Sequence, residues 1–412
     1  MFFHIHTLGC KVNQYETETI RSALLQHGYT EAAEGDAADL VVVNTCTVTA
    51  ESEAKSRKAV RRLIAEHPGA RVVVMGCAVT HRPDSILQID GVSQILTDKQ
   101  QIPDFLRQLG LVELPPGITS FGDRHRAFIK IQDGCRACCS YCIIPKVRPV
   151  LHSRPIGEIL REIQTLAQNG YREIVLTGIH LGHYGTERAD NCPNLLDLIR
   201  RAVDLPEAFR LRLSSLEAVE VSDELIDVMR HYPDRICPHL HLPMQSGSDA
   251  VLRRMKRRWL SEPFVRRCEE ILAQFDRLAL TTDVIVGFPG ETTVQFEETC
   301  QVVEHLQFSK VHVFRFSPRR GTEAETLPNR VPPSEQKRRS AILTSLAERL
   351  RSDFAVSLIG SRATVLLETA TGGTCGRYLE VRLDYSLEAG MLVSVEIERT
   401  EGDVCFGRCY TA

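Results

Sequence analysis

Residues 133–142 carry the sequence Asp133-Gly134-Cys135-Arg136-Ala137-Cys138-Cys139-Ser140-Tyr141-Cys142, in which four cysteines fall within eight residues. Two ligand spacings fit this stretch: Cys135-x3-Cys139-x2-Cys142, or two abutting CxxC units. Structural zinc sites usually separate their CxxC halves by about a dozen residues or more, so that two turns face each other around the metal. A compact loop of three thiolates can instead hold three irons of a 4Fe-4S cube and leave the fourth iron without a protein ligand. The spacing therefore favours an iron–sulfur cluster on Cys135, Cys139 and Cys142 over zinc, with Cys138 as a bystander.

This cysteine loop follows the first of six β-rich runs that alternate with helical patterns. The runs are Ala127–Ile131, Glu173–Leu176, Arg210–Leu213, His239–Leu242, Leu278–Val286 and Val311–Phe316. Six successive βα-type units predict a full or partial parallel barrel. Such barrels place their chemistry at the carboxyl ends of the strands, so the residues just after each strand are the candidates for the site.

Two further regions flank the predicted barrel. Residues 1–112 alternate β-rich runs with helical patterns, which predicts an α/β domain with a parallel sheet. The runs are Phe3–His6, Leu40–Asn44 and Val72–Met75, and the helical patterns are Thr17–His27, Glu53–Glu66 and Lys99–Leu109. Breakers at Leu114–Ile118 indicate a linker. The barrel domain is expected at 120–350 and includes a long basic helix at Ser334–Phe354, while 356–412 predicts a small all-β barrel.

Three cysteines of the first region share a position relative to the predicted strands. Cys10, Cys46 and Cys77 each fall just beyond one of them. Because the carboxyl ends of parallel strands line one crevice, we expect the three thiols to converge. The alternative is that they are small buried apolar residues, as isolated cysteines usually are.

CxxxCxxC after the first strand of a βα barrel resembles the radical S-adenosylmethionine superfamily. The resemblance implies that S-adenosylmethionine chelates the open iron through its amino and carboxylate groups, and that its reductive cleavage gives a 5′-deoxyadenosyl radical. It also implies cosubstrate contacts in three segments. These are Thr177 and Gly178 for the methionine amino group, Ser214 and Glu217 for the ribose, and Ile285, Gly287 and Gly290 behind the adenine.

Four other segments resemble the methylthiotransferase family: Thr7–Gln14, Asn44–Val48, Met75–Cys77 and His241–Ser248, which includes Gln245 as a further cosubstrate contact. The last region is similar to the TRAM module, an RNA-binding β domain. The resemblance implies a second 4Fe-4S cluster on Cys10, Cys46 and Cys77, so that six cysteines are metal-ligating and catalytic. The segment Arg148–Arg154 departs from the family pattern, because it lacks a customary Gly and Glu, and Lys146 replaces an aromatic residue.

Leu8–Glu16 resembles the branch that modifies N6-threonylcarbamoyladenosine beside the tRNA anticodon. The expected activity is therefore methylthiolation of C2 of that base, with two S-adenosylmethionine molecules per turnover, tRNA as partner and a reductase as electron donor. One alternative is methylthiolation of N6-isopentenyladenosine. Another, from a different class, is a noncatalytic zinc-dependent RNA-binding protein.

Composition limits the remaining classes. Lys and Arg total 50 against 53 Asp and Glu, so only local charge can indicate nucleic-acid binding, as in Arg253–Trp259 and Arg315–Arg351. The apolar runs are far shorter than the roughly 20 residues of a membrane span. No signal-peptide pattern opens the chain, and the 14 cysteines suit a reducing compartment. These features predict a cytoplasmic protein without a membrane segment.

Overall fold

A computed structural model describes residues 1–111, 115–122, 124–188 and 192–410. Position 112, the predicted end of the first region, and Leu114 of the predicted linker lie outside these ranges. Within the described ranges, every helix is too short or too polar to cross a bilayer.

The first region forms a five-stranded parallel sheet in the order β2-β1-β3-β4-β5. The strands are β1 (Phe2–Thr7), β2 (Thr30–Glu31), β3 (Leu40–Thr45), β4 (Arg71–Gly76) and β5 (Val92–Leu96). The helices are α1 (Lys11–Gln26), α2 (Ala50–Glu66), α3 (Cys77–His81), α4 (Asp84–Leu87) and α5 (Ile102–Gln108). Leu40 and Val42 of β3 pack into one core, whereas Val41 and Val43 pack into another. Both faces of this strand are covered, which is why its first four residues are all apolar.

The central region contains six parallel strands that follow one another in chain order, as predicted, and form a partial barrel. The strands are β6 (Arg126–Asp133), β8 (Glu173–Gly178), β9 (Arg210–Leu213), β10 (His239–His241), β11 (Ala279–Val286) and β12 (Lys310–Arg315), and the short β7 (His152–Ser153) pairs antiparallel with β6. Parallel bridges from Leu211 to Ile236 and from Ser215 to His241 join the two halves.

Eight helices connect and follow these strands. They are α6 (Ile144–Val147), α7 (Ile156–Gln168), α8 (Leu195–Val203), α9 (Asp223–His231), α10 (Asp249–Arg254), α11 (Ser261–Leu272), α12 (Thr293–His305) and α13 (Pro333–Ser357). The longest, α13, begins with Pro333 at its first position, where proline's missing N–H costs no hydrogen bond.

The last region is a closed five-stranded barrel in the order β13-β14-β15-β17-β16. The strands are β13 (Arg362–Thr369), β14 (Gly372–Cys375), β15 (Glu380–Leu383), β16 (Leu392–Glu401) and β17 (Val404–Cys409). The predicted α/β fold class is thus confirmed, with an N-terminal parallel sheet domain, a central partial βα barrel and a small C-terminal β barrel.

A buried ionic cluster fixes this C-terminal barrel to the amino ends of the central strands. Glu173 is fully buried and forms ion pairs with Arg126, Arg210 and Arg212. Arg210 and Arg212 also donate hydrogen bonds to backbone carbonyls of the C-terminal barrel. The ring of Tyr378 lies over the Arg212 guanidinium, 3.7 Å from its carbon. These contacts place the described part of the C-terminal barrel at the end of the central barrel opposite to the carboxyl ends of its strands.

Candidate active site

The loop between β6 and α6 brings three of its four cysteines together. Burial, together with the neighbouring Cys139 and Cys135, raises the pKa of the Cys142 thiol to about 12, so these two cysteines lie near Cys142. Cys138 is exposed, and its sulfur has a single hydrogen-bond partner among the described residues, the Arg136 carbonyl oxygen. This arrangement matches the Cys135-x3-Cys139-x2-Cys142 spacing.

Glycine is required where the strand turns into this loop. Gly134 has φ +79°, and a Cβ placed there would lie 2.1 Å from the Val150 carbonyl oxygen. The turn is thus closed to any residue with a side chain.

The other three predicted cysteines also converge. Cys46 and Cys77 directly follow β3 and β4, and Cys10 lies three residues after the end of β1; the three strands are neighbours in the sheet. Burial raises the pKa of the Cys46 thiol, and the charges of Cys77 and Cys10 raise it further. Gly9 has φ +108°, and a Cβ placed on it would lie 3.0 Å from the Cβ of Cys46. The absence of a side chain at this position therefore leaves room for Cys46. Three thiols at adjacent strand ends are a donor set that suits an iron–sulfur cluster.

The two groups of cysteines are neighbours across the domain interface. Cys77 packs against Ile143 and Val147, which directly follow the barrel cysteine loop. A cleft of about 700 Å³ opens between the domains. Its walls come from the segment after Cys46, from the cysteine loop and from the ends of the last barrel strands. The lining residues are Val48, Thr49, Tyr141, Cys142, Ile143, Ile144, Gln245, Asp283, Ile285, Phe314, Arg315, Phe316 and Ser317.

The predicted cosubstrate contacts lie at or just beyond the carboxyl ends of β8, β9, β10 and β11. They are Thr177, Gly178, Ser214, Glu217, Gln245, Ile285, Gly287 and Gly290. Gln245 and Ile285 line the cleft. The Ser214 hydroxyl is buried without a hydrogen-bond partner among the described residues. Gly287 and Gly290 face Gln336 and Arg254, respectively, in the direction a Cβ would take. The roles of all eight residues stay predictions.

Two residues that lie beside the barrel cysteines, Arg257 and His180, were not among the site residues predicted from the sequence. Arg257 lies with Nη1 3.7 Å from Cys139 Sγ and forms an ion pair with Glu217 at 2.5 Å. His180 lies with Nδ1 3.7 Å from Cys135 Sγ. Burial lowers the pKa of His180, but its hydrogen bonds with Cys135 and Glu220 outweigh burial and raise it to about 9. Both side chains place positive charge beside candidate thiolate ligands.

The cationic stretch Arg253–Trp259 is therefore not a uniform RNA-facing surface. Arg257 points inward, and Trp259 is buried against Phe264. No sequence pattern indicated that the Arg257 side chain points inward, because its partner Glu217 lies 40 residues away in the chain.

A polar group of side chains lies on β10, β11 and β12, and its member Asp283 lines the cleft. His241 Nε2 lies 3.4 Å from Asp283 Oδ2, and the His241 and His312 rings are 5.8 Å apart. Burial lowers the pKa of His312, and the charge of Lys11 is among those that lower it further. Lys11 begins α1 directly after Cys10, and its ammonium has no hydrogen bond or ion pair within the described part of the chain. An unpaired cation thus lies beside a polar wall.

Comparisons with known proteins extend over most of the chain. The model of the uncharacterized protein family UPF0004 matches residues 2–98, and that of the radical SAM superfamily matches residues 129–303. The threonylcarbamoyladenosine tRNA methylthiotransferase MtaB of Bacillus subtilis is 39% identical over 85% of this chain and 81% of its own length. The protein of the same name from Thermotoga maritima is 37% identical over 88% of this chain and 86% of its own length.

A second type of relative and a solved structure also match. The tRNA-2-methylthio-N(6)-dimethylallyladenosine synthase of Corynebacterium efficiens is 32% identical over 98% of this chain and 82% of its own length. The radical S-adenosylmethionine methyltransferase TsrM of Kitasatospora setae, 14% identical, superposes with a TM-score of 0.54 over 76% of this chain and 74% of its own. At that identity the likeness concerns the fold alone.

Proposed function

The chain belongs to the radical S-adenosylmethionine methylthiotransferase family, and from this premise we propose that it methylthiolates C2 of N6-threonylcarbamoyladenosine beside the tRNA anticodon, using two 4Fe-4S clusters. Membership makes the protein an enzyme that transfers methylthio groups and uses S-adenosylmethionine with a 4Fe-4S cluster. The observation that carries the finer proposal is that two groups of three cysteines are neighbours: Cys77 packs against Ile143, which directly follows Cys142.

The barrel group is suited to radical generation. Cys135, Cys139 and Cys142 would hold a cluster whose open iron binds S-adenosylmethionine, and this pair supplies the 5′-deoxyadenosyl radical when bound. Arg257 and His180 place positive charge next to the ligand sulfurs. Gln245 and Ile285 form the cleft wall and would position the cosubstrate.

The other group would serve sulfur insertion. Cys10, Cys46 and Cys77 would hold the second cluster, after the ends of β1, β3 and β4 and next to the segment that follows the barrel cysteine loop. Two separate sites are consistent with the two tasks of the reaction, hydrogen abstraction from an inert C–H and delivery of sulfur.

The polar wall of the cleft supports threonylcarbamoyladenosine over dimethylallyladenosine as substrate. A threonylcarbamoyl group ends in a carboxylate and a hydroxyl, whereas a dimethylallyl group is apolar. The unpaired Lys11 ammonium complements a carboxylate, and His241, Asp283 and His312 offer donors and acceptors for the remaining polar atoms. An apolar substituent would leave the Lys11 ammonium without a partner, which is costly for a desolvated charged group.

This assignment has consequences for partners and organisation. The enzyme would act on tRNA in the cytoplasm and receive electrons from a separate reductase. We assign residues 1–112 to the methylthiotransferase domain, 120–350 to the radical barrel and 356–412 to a TRAM-like RNA-binding domain.

Nucleoside analysis of tRNA from a deletion strain tests the proposal. Loss of 2-methylthio-N6-threonylcarbamoyladenosine, restored by the intact gene, is expected. Loss of the methylthio group from isopentenyladenosine instead would show that isopentenyladenosine is the substrate and would contradict the proposal. Metal analysis of anaerobic protein should give about eight iron and eight sulfide per chain, and stoichiometric zinc without iron would contradict both clusters.

A further inference from the structure

Arg148 lies in the segment that departs from the family pattern, directly after α6. Its side chain is 2% exposed, and each of its five N–H groups has an acceptor. Nη1 bonds to Glu16 at 2.8 Å and Asp133 at 2.7 Å, while Nη2 bonds to Asn13 at 2.9 Å and Glu16 at 3.1 Å. The remaining donor, Nε, lies 3.4 Å from Cys77 Sγ.

The surroundings of Arg148 are ionised and carry an excess of positive charge. Burial raises the pKa of Asp133, but Lys130 and Arg148 outweigh it and lower the pKa to about 2. Lys130 and Lys99 both pair with Glu16, at 3.0 and 3.1 Å, so three cations face two carboxylates. Lys99 Nζ also lies 3.9 Å from Cys77 Sγ.

The cationic donors around Cys77 suit a negatively charged sulfur. Cys77 is 4% exposed and has two cationic donors directed at its sulfur. A neutral thiol is a weak acceptor and gains little from them, whereas a thiolate gains charge-assisted hydrogen bonds. A thiolate bound to iron keeps its negative charge permanently.

We propose that Arg148 is a positioning residue that donates a hydrogen bond to the Cys77 thiolate and thereby raises the reduction potential of the cluster on Cys10, Cys46 and Cys77, with Lys99 acting in the same direction. The inference rests on the second cluster of the proposed function. Hydrogen bonds to ligand sulfurs and nearby positive charge favour the reduced, more negative cluster. Through Asp133, which accepts from the Gly134 N–H at 2.9 Å, the same guanidinium also holds the start of the barrel cysteine loop.

The test isolates the second cluster in the full-length chain. In a background with Cys135, Cys139 and Cys142 replaced by alanine, the remaining iron belongs to the other site. Arg148→Met, Arg148→Lys and Lys99→Met are introduced separately, and iron content and the midpoint potential are measured by an EPR-monitored redox titration. Arg154→Met is the matched control, because Arg154 forms a comparably buried ion pair with Glu162 in the same segment.

We expect Arg148→Met to lower the midpoint potential by about 59 mV or more. For a one-electron couple this is a tenfold or larger change in the reduced-to-oxidised ratio at a fixed potential. Arg148→Lys and Lys99→Met should give smaller shifts of the same sign, and the control none. Unchanged potentials in all variants that retain four irons would overturn the inference, and if Arg148→Met loses its iron, the two milder variants decide. Absence of iron from the alanine background itself would overturn the second cluster, and the inference with it.

Discussion

Replacing Lys11 with methionine should reduce activity only on the threonylcarbamoylated substrate. Because the Lys11 ammonium has no partner among the described residues, its removal breaks no hydrogen bond or ion pair of the folded protein there. The interaction that this substitution removes is the proposed contact with the substrate carboxylate. Hydrogen bonds to charged groups contribute about 1.5–3 kcal/mol, so kcat/KM should fall roughly 10- to 150-fold.

The assay compares two tRNAs that differ only in the threonylcarbamoyl group of the target adenosine. Wild-type enzyme should favour the modified tRNA, Lys11→Met should lose most of that preference, and Lys11→Arg should restore part of it. Lys55→Met, which changes an exposed lysine of α2, is the control. Iron content must match the wild type in each variant. An equal loss on both tRNAs, or no loss on either, would refute the role of Lys11 in substrate recognition.

Three further predictions concern the barrel. Replacing Cys139 with alanine should abolish formation of 5′-deoxyadenosine while Cys138→Ala retains it, and the opposite result would reassign the ligand spacing. Glu173→Gln should lower the free energy of unfolding by about 3–5 kcal/mol in denaturant titrations, since it leaves buried guanidinium groups without their carboxylate; a change below about 1 kcal/mol would show that the cluster is not needed for stability. Because the folded-state pKa of Asp133 is lowered to about 2, its contribution to stability should be complete above about pH 4 and lost as pH falls towards 2. Asp133→Asn should remove that part of the acid dependence, and an unchanged acid transition in this variant would contradict the assignment.

The strands that carry the site could be predicted from the sequence because they are buried. Residues 40–43 form a continuous apolar run with a helix pattern on either side, and β3 begins at Leu40 as predicted. The edge strands β2 and β5 were missed. Thr30 and Glu31 are both exposed, and only Leu96 of β5 is buried, so neither segment shows the apolar pattern of a strand.

Helix α1 begins six residues before its predicted start at Thr17. Its first turns bury the polar side chains of Asn13 and Glu16, which contact Arg148 across the domain interface. Polar residues at core-facing positions conceal a helical pattern that depends on apolar spacing.

The six cysteines were recognisable because their position after strands is a local feature. The residues around them were not, since their partners lie far apart in the chain. Arg148 finds its acceptors on α1, β6 and α3, and the most distant of them, Asn13, lies 135 residues away in the chain. Its contacts with Asn13, Glu16 and Cys77 form only where the two domains meet, so no local sequence pattern could indicate them.

The triple replacement of Cys10, Cys46 and Cys77 by alanine tests the central claim most directly. Iron, 5′-deoxyadenosine and the methylthiolated nucleoside are measured on the same preparation. We expect iron to fall from about eight to about four per chain, formation of 5′-deoxyadenosine to persist, and the methylthiolated nucleoside to disappear. Full iron together with undiminished methylthiolated product would contradict the account, because these cysteines would then only pack the core.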